Sequence, residues 1–439
     1  MNIFKAYDIR GAYPTELNEE IARRIGQATA DLLGCRRALV GHDMRSSGVP
    51  LSEALIGGLR DQGVDVTKVG LASSPLIYYA GRDYDCAVSV TASHNPPPDN
   101  GMKICGPGAL PIGSANGLLE IARRVENRRM SPAGQSGALD HATPRADFVS
   151  FSLQALRTAA PFRVVVDGGN GIGGLDYLEL ARRETSIEIL PLYLDPDDSF
   201  PHHEPNPLKF ETLRDLQAEV LRQRADLGLA LDGDGDRCFF VDERGEIVSA
   251  DLITALIASD ILELTPEATI LHDLRSSRIV AETITAHGGR AIECRVGHAF
   301  IKKALREEGG RFAGELSGHF YFEESSFAEN TLIALFRVLN ILAARGENLS
   351  KATAPLRKYY GSGEINSRVE NGSAIMDDLA RRYAGGEISR LDGLKVSFED
   401  WWFNVRPSNT EPYLRLVLEA QSETALKTHR DELLAVIRD

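Results

Sequence analysis

Three carboxylates fall at alternate positions in Asp232-Gly233-Asp234-Gly235-Asp236-Arg237. In an extended segment, residues two apart project to the same side. Carboxylates so close repel one another, and a hard divalent cation is their natural partner. Mg²⁺ is preferred if a phosphate shares the site. An EF-hand loop is the competing arrangement, because Glu243 is the twelfth residue counted from Asp232. That loop requires glycine at its sixth position, where Arg237 stands, and its flanks should be helices. Here the flanks read as strands. A solvated acidic turn is the plainer alternative.

A second candidate is Thr91-Ala92-Ser93-His94-Asn95-Pro96-Pro97-Pro98-Asp99-Asn100-Gly101-Met102-Lys103. A serine ends a β-branched run, a histidine follows, and three prolines stiffen the loop. A hydroxyl held in this way suits a nucleophile; an ordinary Pro-rich turn is the alternative. Gly169-Asn170-Gly171-Ile172-Gly173-Gly174 fits the dinucleotide fingerprint, with Glu188 about 20 residues beyond its start. It lies outside the first βαβ unit, and a tight strand–helix turn explains its glycines equally well. Gly314-Glu315-Leu316-Ser317-Gly318-His319 places three polar side chains at alternate positions, suited to sugar hydroxyls. Arg406-Pro407-Ser408-Asn409-Thr410-Glu411-Pro412 gathers a guanidinium, hydroxyls and an amide in one turn, as a phosphate cradle would.

The elements that must position these loops follow βαβ grammar. The stretches 38–43, 85–93, 163–171, 226–237, 269–273, 291–297 and 311–319 read as short apolar strands running into polar loops, with helical periodicity between them. Residues 238–248 read as a hairpin with an Arg-Gly turn. The pattern restarts twice, which predicts three α/β units of similar size without a strong residue-level repeat. Residues 126–147, rich in Gly, Pro and Ser, read as a linker. The tail reads as an α+β unit. Ligands of open parallel sheets bind beyond the carboxyl ends of strands, so three of these loops are expected to face one cleft.

A chain of 439 residues exceeds a single core. Its hydrophobic share of 43% and charged share of 26% are those of a soluble globular protein. The net charge of -14 argues against a bulk nucleic-acid binder. Five widely spaced cysteines without a CxxC favour a reducing compartment. There is no signal-peptide pattern, and the long apolar runs are interrupted by Asp260 and Arg337. A cytoplasmic protein that engages neither membrane nor nucleic acid is expected.

Taken in order, from Lys5-Ala6-Tyr7-Asp8-Ile9-Arg10-Gly11 to the Arg406 loop, the motifs resemble those of the α-D-phosphohexomutase superfamily, and within it the phosphomannomutase/phosphoglucomutase group. The resemblance implies a heart-shaped, four-domain protein: three related α/β domains with mixed sheets (1–140, 141–250, 251–358) and a C-terminal α+β domain (359–439) around a central cleft. It implies that Ser93 is the phosphoserine, and that Asp232, Asp234 and Asp236, with a phosphoserine oxygen, hold one Mg²⁺. Arg237 matches a residue near the transferring phosphate, and Tyr7, Arg10, His94, Lys103 and His298 match cleft residues. Glu315, Ser317 and His319 match readers of sugar hydroxyls. Arg406, Ser408, Asn409 and Thr410 match the clamp on the distal phosphate. The implied substrates are hexose 1-phosphate and hexose 6-phosphate, with hexose 1,6-bisphosphate as intermediate and activator, turned over by a monomer or weak dimer. Lys103, Arg10 and His319 remain alternatives for the base. Gly235 stands where many relatives carry a larger residue. Residues 325–330 lack the paired aspartates common there, so no role passes to Glu329. The Arg-Pro-Ser-Asn-Thr-Glu-Pro form favours the mannose/glucose group over a phosphoglucosamine mutase. A serine/metal phosphotransferase-hydrolase is the rival chemistry.

Overall fold

The computed structural model describes residues 2–127, 133–407 and 413–438. Three of its four sheets share one plan. In the first, Arg37–His42 is central, parallel to Asp65–Leu71 on one side and to Cys86–Val90 on the other. Asp99–Gly106 then runs antiparallel beside Cys86–Val90, and Ile9–Ala12 antiparallel beside that. In the second, Phe162–Asp167 is central between Ile187–Leu192 and Leu227–Leu231, followed by antiparallel Cys238–Asp242 and Ile247–Val248. In the third, Thr269–Asp273 is central between Arg290–Cys294 and Gly310–Gly314, followed by antiparallel Phe320–Phe322 and Ala328–Glu329. The order is the same each time: second strand, first, third, then the antiparallel pair. The first unit draws its outermost strand from the N-terminus instead of from the end of the unit.

The parallel strands are short apolar runs because helices cover both faces; Val164, Val165 and Val166 are fully buried. Helices are set by local signals. Asn18 and Asn330 accept backbone N–H groups at the starts of Glu19–Leu33 and Thr331–Arg345, and Gly34 and Gly346 end those helices in the left-handed conformation. The segment read as a linker is in part structural. Leu139–His141 adds a parallel strand to the edge of the first sheet beside Asp65–Leu71.

The fourth unit is an antiparallel sheet in the order Tyr360–Gly361, Tyr413–Ala420, Trp401–Pro407, Leu394–Ser397, Glu387–Ser389, with helices Gly372–Arg382 and Glu423–Arg438. It has a core of its own, whereas one apolar cluster runs from the first unit through the second and third. The fourth unit meets the third through polar contacts. Lys395 Nζ donates to Leu274 O at 2.9 Å, Val296 N to Asp392 Oδ2 at 3.2 Å, and Arg278 Nη2 to Trp401 O at 3.0 Å.

Candidate active site

The common plan has a local consequence. In each α/β unit the loop joining the third parallel strand to the first antiparallel one leaves the carboxyl edge of the sheet. In the first unit that loop carries Ser93, in the second Asp232–Arg237, in the third Glu315–His319. The three converge. Ser93 Oγ donates to Asp232 Oδ2 at 2.7 Å and lies 3.2 Å from His94 Nδ1. Arg237 and His319 form an antiparallel bridge between the second and third loops, with Arg237 Nε 3.1 Å from His319 Nε2. Ser93 has φ of +52, in the left-handed region. A non-glycine residue there costs about 1–3 kcal/mol and persists only when its surroundings impose it.

The acidic loop has the chemistry of a cation site. The ligand oxygens of Asp232, Asp234 and Asp236 lie within 4.8 Å of one another, and all three residues are buried. Asp234 Oδ1 is buried without a hydrogen-bond partner among the described residues, and Asp236 Oδ1, also buried, has His319 Nε2 beside it at 3.3 Å. Burial and the carboxylates of Asp236 and Asp234 push Asp232 up to about 7. Buried, mutually repelling hard oxygens, one of them without a partner, fit Mg²⁺. Lys103 Nζ reaches Asp234 Oδ2 at 2.6 Å and Asp236 Oδ2 at 2.5 Å. Burial works against the ammonium, but these carboxylates raise its pKa overall. Asp234 Oδ2 also accepts from Ser74 Oγ at 2.6 Å.

The dinucleotide-like glycines serve this loop. Ile172 N donates to Gly233 O at 2.9 Å. A Cβ on Gly171 would stand 2.8 Å from Gly233 O, and one on Gly173 2.9 Å from Gly235 Cα. Gly235 itself has φ of +75 and faces Gly173, so a larger side chain does not fit in this chain. The turn is filled by the backbone of the acidic loop, where a pyrophosphate would otherwise lie.

In the third loop His319 sits between carboxylates, with Nδ1 2.8 Å from Glu315 Oε2 and Nε2 3.3 Å from Asp236 Oδ1. Burial and Arg237 lower its pKa, but Asp236 and Glu315 prevail and bring it to about 9. Ser317 Oγ is 2.9 Å from His319 Nδ1. Against burial, His319 and Arg275 hold Glu315 well below the usual carboxylate range. Tyr7 Oη donates to Val296 O at 3.1 Å and its ring meets that of His298 edge-on. His298 has both ring nitrogens buried without a hydrogen-bond partner among the described residues, and burial keeps it neutral. Arg10 Nε donates to Asp8 Oδ2 at 2.8 Å, and its Nη1 reaches Asn95 Oδ1 at 3.3 Å. Arg406 Nη2 donates to Glu364 Oε2 at 2.9 Å. Ser408, Asn409 and Thr410 lie outside the described residues.

Several site residues were not singled out from the sequence. Arg275 donates to Asp273 Oδ2 at 2.8 Å, Glu315 Oε1 at 3.2 Å and Glu364 Oε2 at 3.3 Å. Lys302 and Glu329, both fully buried, pair at 2.5 Å, and Glu329 belongs to a close group with Asp236 and His319. Arg45 and Asp43 lie beneath the Ser93 loop. A signal for the arginines was present: His42-Asp43-Met44-Arg45-Ser46-Ser47 recurs as His272-Asp273-Leu274-Arg275-Ser276-Ser277, each beginning within the carboxyl end of the central strand of its unit and running into the following loop. This is the residue-level repeat that the restarting pattern alone did not reveal.

Family models for phosphoglucomutase/phosphomannomutase match the chain in four consecutive parts. Domain I covers residues 1–131, domain II 141–245, domain III 249–359 and the C-terminal domain 364–436. The chain is 38% identical to a phosphomannomutase of Methanocaldococcus jannaschii, over 99% of this chain and 97% of that one. It is 34% identical to a phosphomannomutase of Escherichia coli K12, over 100% and 99%. A crystal structure of a phosphoglucomutase/phosphomannomutase family protein from Burkholderia thailandensis superposes with a TM-score of 0.92 at 32% identity, covering 99% of this chain and 96% of that one. Four domain matches in order, full-length relatives and a near-superposable structure agree with the convergent loops: the chain is an isomerase of the α-D-phosphohexomutase superfamily and belongs to its phosphoglucomutase/phosphomannomutase family, whose reaction is a reversible intramolecular phosphoryl transfer.

Proposed function

We propose that this chain interconverts hexose 1-phosphate and hexose 6-phosphate, acting on both mannose and glucose phosphates, through a phosphorylated Ser93 and a hexose 1,6-bisphosphate. The observation that carries the reading is the 2.7 Å contact between Ser93 Oγ and Asp232 Oδ2, made where the loops of three separate units meet. Asp232, Asp234 and Asp236 would hold one Mg²⁺, which when bound offsets the negative charge on the phosphoryl oxygens. In the first half-reaction the P–O bond to Ser93 breaks as a P–O bond to a sugar hydroxyl forms, and the hydroxyl proton ends on the departing Ser93 Oγ by way of groups lining the site. Lys103, Arg10 and His319 are the candidates to take that proton or to orient the hydroxyl; the carboxylates that, against burial, raise the Lys103 and His319 pKa values, and the permanent charge of Arg10, favour orienting it. The bisphosphate turns end for end, and the second half-reaction returns its other phosphoryl group to Ser93. Arg237, beside Asp232 and His319, supplies positive charge next to the reacting phosphate. Glu315, Ser317 and His319 bind hydroxyls in either orientation. Arg406 holds the phosphate that is not transferred.

A hydrolase would use the same serine and carboxylates, but it would need neither a sugar-reading loop nor a distal arginine. The names of the full-length relatives also favour the mutase. The test is a bisphosphate-primed assay with both epimers, run beside intact-mass and peptide analysis of the purified protein. Isomerisation without phosphate release, phosphate on Ser93, and a preference between epimers below about 10³ are expected, since more would need over 4 kcal/mol of discrimination at a group read in two orientations. Phosphate on another residue of an active enzyme would refute the serine assignment.

A further inference from the structure

We infer that Asp43, Arg45 and Thr91 form a positioning device that holds the Ser93 backbone in its left-handed conformation and thereby aims Oγ at the acidic loop. The inference rests on the reading of Ser93 as the phosphoryl carrier and extends it to residues that do not line the sugar site. A closed circuit of contacts carries it. Ser93 N donates to Thr91 Oγ1 at 2.9 Å, and Thr91 Oγ1 donates to Asp43 Oδ2 at 2.6 Å. Asp43 Oδ2 pairs with Arg45 Nε at 3.3 Å, and Arg45 Nη2 returns to Ser93 O at 3.0 Å. Both backbone polar groups of Ser93 are thus tied into one ring, while its hydroxyl is engaged by Asp232 from the second unit. The ring is closed to water: the Arg45 side chain is 1% exposed and that of Asp43 0%.

The guanidinium does more than close the ring. It also donates to Asn95 O at 2.6 Å, Pro96 O at 2.7 Å and Asp99 O at 2.8 Å, so the loop is wound around it. A loop with three consecutive prolines lacks three N–H donors, and its carbonyls need donors from elsewhere. Arginine presents five N–H donors in a rigid plane; lysine cannot reproduce that fan. The second unit braces the same spot, with Asp198 Oδ2 accepting from Ser46 N at 2.9 Å. The third unit repeats the device under its own loop. Asp273 Oδ2 accepts from Leu316 N at 2.9 Å, and Arg275 holds both Asp273 and Glu315. An Asp-x-Arg at the carboxyl end of the central strand supporting the loop after the third strand is therefore used in two of the three α/β units.

Thr91→Val keeps the shape of the side chain and removes the oxygen that links Ser93 N to Asp43; Thr91→Ser keeps that oxygen. With hexose 1-phosphate and bisphosphate present, Thr91→Val is expected to lower kcat by about 10²-fold, the usual cost of displacing a reacting group by an ångström. KM should move by no more than about twofold, because the sugar contacts are untouched. Thr91→Ser should restore most of kcat. Wild-type kcat in Thr91→Val, an equal loss in Thr91→Ser, or a loss confined to KM would overturn the inference. If Thr91→Val fails to fold, Arg45→Lys carries the same comparison, with a fall in kcat at unchanged KM expected and unaltered kcat overturning it. Peptide mass spectrometry of the wild-type enzyme separates the two levels of the argument. Active enzyme without phosphate on Ser93 removes the underlying reading, whereas phosphorylated wild type together with an unimpaired Thr91→Val removes the positioning device alone.

Discussion

Asp234 illustrates how much one side chain does here. One oxygen is buried without a hydrogen-bond partner among the described residues, and the other accepts from Ser74 Oγ and Lys103 Nζ. Asp234→Asn keeps the shape but removes a charge from the acidic loop, and turnover should fall by about 10²–10³, the scale of losing one strong electrostatic stabiliser. Turnover in a chelator compared with turnover after Mg²⁺ is restored checks the same site; full activity in the chelator would refute the assignment. A different residue gives a test without chemistry. His203 Nε2 lies 3.0 Å from Asp167 Oδ2, where Asp167 ends the central strand of the second unit. Burial lowers the His203 pKa, but the hydrogen bond and charge of Asp167 outweigh it, so the net shift is upward. A raised pKa means that folding favours the protonated form. The ion pair then contributes its full stability below the ordinary pKa near 6.5 and loses it as pH rises through the raised value. The gap in melting temperature between wild type and His203→Gln should therefore narrow from pH 5.5 to pH 8.5. A gap that widens would place the histidine in the neutral form throughout.

At the scale of elements, the sequence was most legible where periodicity and loop chemistry coincide. The stretches 85–93, 226–237 and 311–319 read as strands running into loops because each is short, apolar and followed by polar residues; the structure ends the strands at Val90, Leu231 and Gly314 and places all three beside the central strand of their sheets. Their convergence was legible only as an expectation of α/β sheets, since contacts such as Ser93–Asp232 span units and leave no local pattern. The glycine-rich turn at 169–174 was ambiguous for the same reason. Its glycines answer to a partner far away in sequence, the acidic loop. Gly171→Ala tests this, because a methyl 2.8 Å from Gly233 O must push that loop. A loss of about 1–3 kcal/mol in stability is expected from overpacking, together with a higher Mg²⁺ requirement for turnover and no binding of a dinucleotide to either protein. An unchanged Mg²⁺ requirement would show that the turn does not set the loop. Leu139–His141 escaped detection because an edge strand of three residues amid Gly and Pro carries too little periodicity to register. Glu329 was given no role from the sequence, and its pairing escaped because Lys302 lies on a helix earlier in the chain and buried ion pairs have no signature in spacing.

Across the whole molecule, acidic and basic groups form a ladder between units. Glu315 on the loop of the third unit pairs with Arg275, Arg275 with Glu364, and Glu364 with Arg406 at 2.9 Å and Arg415 at 3.0 Å in the fourth unit. Glu364 lies at the entry to that unit, between Tyr360–Gly361 and Ile365–Arg368. Its carboxylate joins Arg406 to Arg275 of the third unit, across an interface that is polar and therefore able to part. Glu364→Ala should raise KM for hexose 1-phosphate and hexose 6-phosphate by similar factors of about 10, as expected from losing a buried charge-assisted contact, and should leave phosphorylation of Ser93 by saturating bisphosphate intact. Impairment in one direction only would show that the two phosphates use different clamps. The distance in sequence between Ser93 and its partner has a consequence for synthesis. Asp232 leaves the ribosome 139 residues after Ser93. Until it does, and until the second unit has folded against the first, the serine faces no acidic loop, and the proline-stiffened turn rests only on its own unit. A nascent or truncated chain therefore displays an inert hydroxyl. On the proposed function, only a molecule whose second unit is complete could accept a phosphoryl group at Ser93, and phosphate found there would record that translation and assembly have passed that point.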